Sequence, residues 1–325
     1  MKENILWIVI LVIAIGLFGY FYMNGDSDST SGEVNNILSF TKSSTVSEVM
    51  NNKSFEEFGN LIFPVDRDFD GNTRLDDIDD IYVWYNYIND DKTVEIVNYM
   101  KDEVDAGNQI FYHIYSEDEM KADPEKRNIG IFYFRGEPGN KMAILNAGGG
   151  FMYVGAMQDS FPHALELSKK GYNAFSLIYR PSAAMEDLAR AVAFIFEHAD
   201  ELEVDTSGYS VWGGSAGARM AAWFGNNGTE GYGEKAYPKP ATVVMQYTGL
   251  SEVTGAEPPT YSCVGTDDGT FDYRIMEERT NRIKANGTDA EIEVFDGLPH
   301  GFGLGIGTNA EGWIDNAVKF WEDHM

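Results

Sequence analysis

Ser215 stands in Gly213-Gly214-Ser215-Ala216-Gly217, between the strand-like run YSVWG and the small-residue run AGARMAAWF. The G-x-S-x-G spacing puts a serine on a sharp strand-to-helix turn, with its hydroxyl exposed and glycines on either side to let the backbone bend. A serine hydroxyl becomes a nucleophile only when a base takes its proton. The chain has five histidines. His113 falls inside a predicted strand, His198 near a helix end and His324 at the penultimate position. His163 lies within a predicted helix beside Pro162, close in sequence to a glycine loop. His300 differs, because it occupies GLPHGFG, a flexible turn between the strand AEIEVFD and the last predicted helix. Such a base needs an acid to fix its tautomer and stabilise its charged form. The loop GTDDGTFD offers Asp268, with Asp267 as the alternative and Asp272 behind both.

Acyl transfer through Ser215 also needs backbone N–H donors where negative charge develops. NAGGGF, residues 146–151, follows the strand KMAIL and precedes a helix. Gly149 and Gly150, with the N–H of Ala216, are the expected oxyanion donors. A triple glycine could instead cradle a phosphate. No G-K-[ST] follows it, however, and no acidic residue ends the next strand, YNAFSLIYRP.

Strands and helices must alternate to hold these groups together. QIFYHIYS and NIGIFYFRG read as an antiparallel pair at a sheet edge. After KMAIL come helix 157–170, strand YNAFSLIY, helix 184–200, strand YSVWG and helix 215–224. The pattern continues with strands ATVVMQYT and TYSCVG, helix 271–285, strand AEIEVFD and helix 311–323. Alternation of this kind builds a mostly parallel sheet with helices on both faces, and ligands meet it at the carboxyl ends of the strands. Ser215, Asp268 and His300 each fall just after a strand, in the chain order that the α/β-hydrolase fold requires.

Ahead of this region, residues 36–107 read as a helical extension, with apolar residues recurring at three and four. Residues 5–22, ILWIVILVIAIGLFGYFY, carry no charge and no proline, and eighteen helical residues span roughly 27 Å, close to a bilayer's hydrocarbon thickness. Residues 1–23 are therefore expected to be a transmembrane anchor, or a signal peptide if cleaved, followed by a polar tether over 24–35. Lys2 before the span and Asp26, Asp28 and Glu33 after it favour a single-pass protein with its body outside the cytoplasm, or a secreted one after cleavage. The formal charge of −28, from 52 acidic and 24 basic residues, argues against a nucleic-acid partner. The one cysteine, Cys263, excludes an intramolecular disulfide. DRDFDGNTRLDD places Asp66, Asp68, Asp70 and Asp77 at spacings like those of a calcium loop. Thr73 and Asp77 depart from that pattern, Pro64 breaks the preceding helix, and an acidic solvated loop is the plainer reading.

The stretch AGGGFMYVGAMQDSFPHALELSKKGYNAFSLIYRP, together with VWGGSAGARMAAW, the GTDD loop and LPHGFG, resembles the serine carboxylesterases of the α/β-hydrolase superfamily. The likeness is to bacterial esterases and acetyl-xylan-esterase-like proteins with a GGG[FY] loop, and it covers residues 108–325. Ala147 stands where that family usually has histidine or proline. The resemblance implies hydrolysis of short acyl esters without a cofactor, with a small ester or an acylated glycan as substrate. Phe151, Tyr153, Trp212 and Tyr247 are candidate pocket walls. The competing expectations are a non-catalytic surface module of the same fold, binding a glycan or protein, and a serine peptidase.

Overall fold

Five consecutive apolar strands in the middle of the chain have no polar face, as expected of strands covered on both sides. The structure, a computed structural model, describes residues 39–63, 69–82, 84–85 and 87–325. The proposed membrane span and tether lie outside these residues, as do Asp66 and Asp68. Among the described residues no helix is long and apolar enough to cross a membrane.

From Phe40 onward the chain forms one compact unit. Its sheet contains β1 (Phe111–His113), β2 (Gly130–Phe134), β3 (Lys141–Asn146), β4 (Asn173–Ile178), β5 (Asp205–Gly214), β6 (Thr242–Gln246), β7 (Thr260–Gly265) and β8 (Ala290–Phe295). Their spatial order is β1-β2-β4-β3-β5-β6-β7-β8. β2 runs antiparallel to both β1 and β4, and the pairings from β4 through β8 are parallel.

The helices are α1 (Val46–Met50), α2 (Asp90–Asp105), α3 (Glu117–Ala122), α4 (Ala156–Asp159), α5 (Phe161–Lys169), α6 (Ala184–Glu197), α7 (Ala216–Asn227), α8 (Arg274–Ala285) and α9 (Trp313–Glu322). The order of strands reverses at β3, since β4 lies on one side of it and β5 on the other. Right-handed crossovers therefore send α4 and α5 to one face and α6, α7 and α8 to the other. α9 joins the α5 face, where Trp313 packs 5.5 Å from His163.

The helical segments expected within residues 36–107 form only in part. α1 and α2 are helical, but Lys53–Phe55, Gly59–Leu61 and Leu75–Asp80 are short 3-10 turns. Gly59 lies so close to the Met50 carbonyl that any side chain there would collide with it, which a continuous helix does not require. α1 is closed by a capping box, with Thr45 accepting from the Glu48 N–H and Glu48 accepting from the Thr45 N–H. α2 is tied to α5 by Lys92 on Glu166 at 2.7 Å. The single helix expected over 157–170 is broken at Ser160, whose φ and ψ are −132° and −46°. Pro162 starts the second piece at a position where its missing N–H costs nothing.

Candidate active site

The turn between β5 and α7 is tight enough to dictate its own sequence. A methyl on Gly213 would meet the Gly217 carbonyl group, and one on Gly217 would run into the Asn146 carbonyl oxygen at the end of β3. Ser215 itself sits at φ 53° and ψ −113°, a conformation costly for a residue with a side chain and found where surrounding structure enforces it. Its N–H donates to the Gln246 carbonyl at 3.0 Å, which fastens the turn to the end of β6. The side chain remains half-buried and thus reachable.

His300 approaches from the loop after β8, buried at 5% exposure. Its Nε2 lies 3.0 Å from Ser215 Oγ, and its Nδ1 lies 2.8 Å from Asp268 Oδ2. Asp268 is the aspartate that meets the histidine. Its other oxygen, Oδ1, accepts the backbone N–H groups of Thr270 (2.9 Å) and Phe271 (3.0 Å), so the carboxylate is held at both ends. Asp267 is exposed, and Asp272 turns outward to Arg274. The imidazole is also held edge-on between rings, 5.0 Å from Tyr247 and 5.8 Å from Phe271. The arrangement can pass a proton from a serine hydroxyl to an imidazole whose second nitrogen is fixed by a carboxylate.

The glycine loop closes over the serine. Gly148 abuts it so closely that an added methyl would lie 2.8 Å from Ser215 Cβ. Gly149, Gly150 and Phe151 then adopt positive φ in succession, at 122°, 63° and 56°. Tyr179 donates to the Ala147 carbonyl at 2.7 Å, and the Gly149 carbonyl accepts the Met152 N–H at 2.9 Å. Ala216 opens α7, so its peptide sits at the helix N-terminus, where the dipole favours negative charge.

The four aromatic candidates divide. Phe151 is partly exposed and stacks on Trp223. Tyr153 stacks on Trp84 and lines a cleft of about 430 Å³ with Met152, Tyr179 and Arg180. Trp212 is a core residue, 2% exposed and 6.1 Å from Trp313. Tyr247 is fully buried and contributes its hydroxyl to an interior carboxylate rather than a wall to a cleft.

That carboxylate, Asp159 at the end of α4, is the residue that sequence reasoning missed. It accepts from the Tyr85 hydroxyl at 2.8 Å, from the Gly148 N–H at 2.9 Å and from the Tyr247 hydroxyl. Burial pushes its carboxyl up from the ordinary value, while these donors and the nearby His300 pull it back. Burial, with the charge of Asp159, drives the Tyr85 and Tyr247 hydroxyls well above their ordinary range. Among the residues of the calcium-like loop, Asp70 turns its carboxylate to Asn72. No group of three or more His, Cys, Asp or Glu able to hold a metal occurs among the described residues.

The BD-FAE family model matches residues 134–260, a stretch that holds the glycine loop, Asp159 and Ser215 but ends before Asp268 and His300. No curated protein matches the chain. Among solved structures, the propionate-bound thermophilic esterase Est2 of Thermogutta terrifontis is similar at 19% identity, covering 66% of this chain and 93% of that one, with a TM-score of 0.55. The same esterase phosphoramylated by tabun matches at 18% identity over 66% and 93%, with a TM-score of 0.54. An acetyl ester-xyloside bifunctional hydrolase from Caldicellulosiruptor lactoaceticus matches at 20% identity over 66% and 95%, with a TM-score of 0.55. The chain has the α/β-hydrolase fold.

Proposed function

We propose that this chain is a serine hydrolase of carboxylic esters, with short acyl groups, including acetyl groups on glycans, as its substrates. The observation that carries the reading is the continuous hydrogen-bonded path Ser215 Oγ to His300 Nε2 at 3.0 Å and His300 Nδ1 to Asp268 at 2.8 Å. Esterases of the same fold, one named for acetyl ester and xyloside hydrolysis, support the choice of ester over other acyl substrates.

In the reaction, Ser215 Oγ attacks the ester carbonyl as its proton passes to His300 Nε2. Asp268, held by the Thr270 and Phe271 N–H groups, stabilises the resulting imidazolium. The carbonyl oxygen becomes an oxyanion and takes hydrogen bonds from the N–H groups of Gly149, Gly150 and Ala216. Collapse of the tetrahedral intermediate breaks the bond to the alcohol oxygen, which leaves with the proton from His300. Water then gives its proton to His300 and attacks the acyl-enzyme, releasing the acid and regenerating Ser215.

The test is hydrolysis of p-nitrophenyl acetate and longer esters, and acetate release from acetylated xylan, by the wild type and by Ser215→Ala. Wild-type turnover that falls by about 10⁴-fold or more in the variant is the expected result for loss of a nucleophile. A folded wild type inert toward every ester would refute the reading and favour a binding module of the same fold.

A further inference from the structure

Asp159 is 2% exposed, and its hydrogen-bond donors are Tyr85, Gly148 and Tyr247. None of these carries a positive charge, so the buried carboxylate is offset by directed hydrogen bonds rather than by an ion pair. Each partner belongs to a different part of the site. Gly148 is the glycine-loop residue that abuts Ser215. Tyr247 follows β6 and presents its ring edge to His300. Gly214, the residue before the serine, lies so near that a methyl on it would be 2.7 Å from Asp159 Cγ.

Tyr85 comes from the N-terminal segment, far from the others in sequence. Residues 84 and 85 sit between the two loops that the chemistry uses. A methyl on Gly301, beside His300, would lie 2.8 Å from the Trp84 carbonyl oxygen and 2.9 Å from Tyr85 Cδ1. On the other side, the Trp84 ring covers Gly150, and an added methyl there would be 3.1 Å from it. Trp84 itself is held at φ 74°, a strained conformation for a tryptophan.

The loop after β3 has little backbone preference of its own, because Gly149 and Gly150 are conformationally free and Phe151 sits at a disfavoured φ of 56°. A fixed hydrogen-bond acceptor at Gly148 therefore decides where the following peptides point. We infer that Asp159 is a positioning residue for ester hydrolysis, pinning the glycine loop against Ser215 and joining residues 84–85 of the N-terminal segment to the active site. The inference rests on the ester-hydrolase reading for its kinetic consequence but not for its structural one.

Asp159→Asn keeps the volume and sets an N–H₂ against groups that themselves donate. Tyr85→Phe removes one donor and leaves the carboxylate in place. In the full chain with p-nitrophenyl acetate, Asp159→Asn should lower kcat by ~100-fold, the effect of misaligning one oxyanion donor, with KM changed by less than about 3-fold. Tyr85→Phe should lower kcat by about 10-fold with the same unchanged KM. Hydrogen exchange followed by mass spectrometry should speed up over residues 147–153 in both variants while the strands stay protected. An active wild type whose Asp159→Asn form keeps kcat within about 3-fold overturns the inference. So does a loss of kcat with exchange raised throughout the sheet in both variants, since that is general unfolding. If the wild type turns over no ester, the hydrolase reading falls and exchange alone decides. Local loosening at 147–153 then upholds the pinning of the loop, and unchanged exchange overturns it.

Discussion

Burial of His163 makes the folded chain sensitive to acid. The ring is buried on α5 at 2% exposure, 5.5 Å from Trp313. Gln246 and Gly303 come near it, but neither ring nitrogen has a well-formed hydrogen bond. Burial accordingly holds the imidazole down from 6.5 to about 4 in the folded chain. In the unfolded chain the ring titrates at its ordinary value. Between those limits the unfolded state binds one proton more than the folded state, so stability is fully present above about 6.5 and declines as pH falls toward 4. The gap is roughly 2.5 pH units, and at about 1.4 kcal/mol per unit this costs on the order of 3 kcal/mol by pH 4. Other carboxylates titrate in the same range, so the useful quantity is a difference between two proteins. His163→Phe removes the proton site and keeps an aromatic ring. Urea unfolding of both full chains at pH 7, 6, 5 and 4 should show the variant gaining about 3 kcal/mol relative to wild type across that span. A difference that stays flat to within about 0.5 kcal/mol from pH 7 to 4 would refute a buried neutral imidazole at this position.

Three further substitutions test how the site and its surroundings are built. Gly217→Ala drives a methyl into the Asn146 carbonyl, and it should cost about 1–3 kcal/mol in urea unfolding and most of the ester turnover. The matched control is Gly269→Ala, where the new methyl meets open space and stability should change by less than about 0.5 kcal/mol. Equal effects at the two glycines would count against the tight β5–α7 turn. Just after β4, Arg180 donates to both oxygens of Asp187, whose side chain is fully buried, and to Asp123. Asp187→Ala leaves Arg180 with Asp123 as its carboxylate partner and takes the acceptor from the Tyr115 hydroxyl, so unfolding should show a loss of about 1–3 kcal/mol. A loss below about 1 kcal/mol would mean that water readily replaces the carboxylate.

What could be read from the sequence was local. The run of apolar strands alternating with helices, the glycines around Ser215 and the fall of Ser215, Asp268 and His300 just after β5, β7 and β8 each depend on a few neighbouring residues. Their meeting in space follows once the sheet order is fixed. The choice between Asp267 and Asp268 was beyond that reach. Adjacent side chains in one turn point in different directions, and the choice depends on Asp268 Oδ1 capturing the Thr270 and Phe271 N–H groups. Aromatic residues were ambiguous for a related reason. Trp212 and Tyr247 lie on or just after strands covered on both faces, where a core position and a pocket wall have the same pattern. The N-terminal segment misled more deeply. Its apolar spacing fits a helix, yet Phe55 and Leu61 are buried by separate 3-10 turns that follow the surface of the larger body. Periodicity records which residues are buried, and a chain wrapped over a curved core can bury residues at helical spacing without forming one helix.

Asp159 marks the limit. Its partners stand 11, 74 and 88 positions away, so no short motif could hold them. One signal was nevertheless present: an acid within AMQDSFPHAL, a stretch that is otherwise apolar and weakly polar and whose residues are all buried. A lone carboxylate there is tolerable only if the fold brings donors to it, because burying an unpartnered charge costs far more than a helix of that length can supply. The same argument identifies what those donors must be in a chain with few cations nearby in sequence: hydroxyls and backbone N–H groups from elements that the fold needs to hold together. An isolated acid on an apolar helix face is thus a prediction of long-range assembly, although its partners emerge only with the fold.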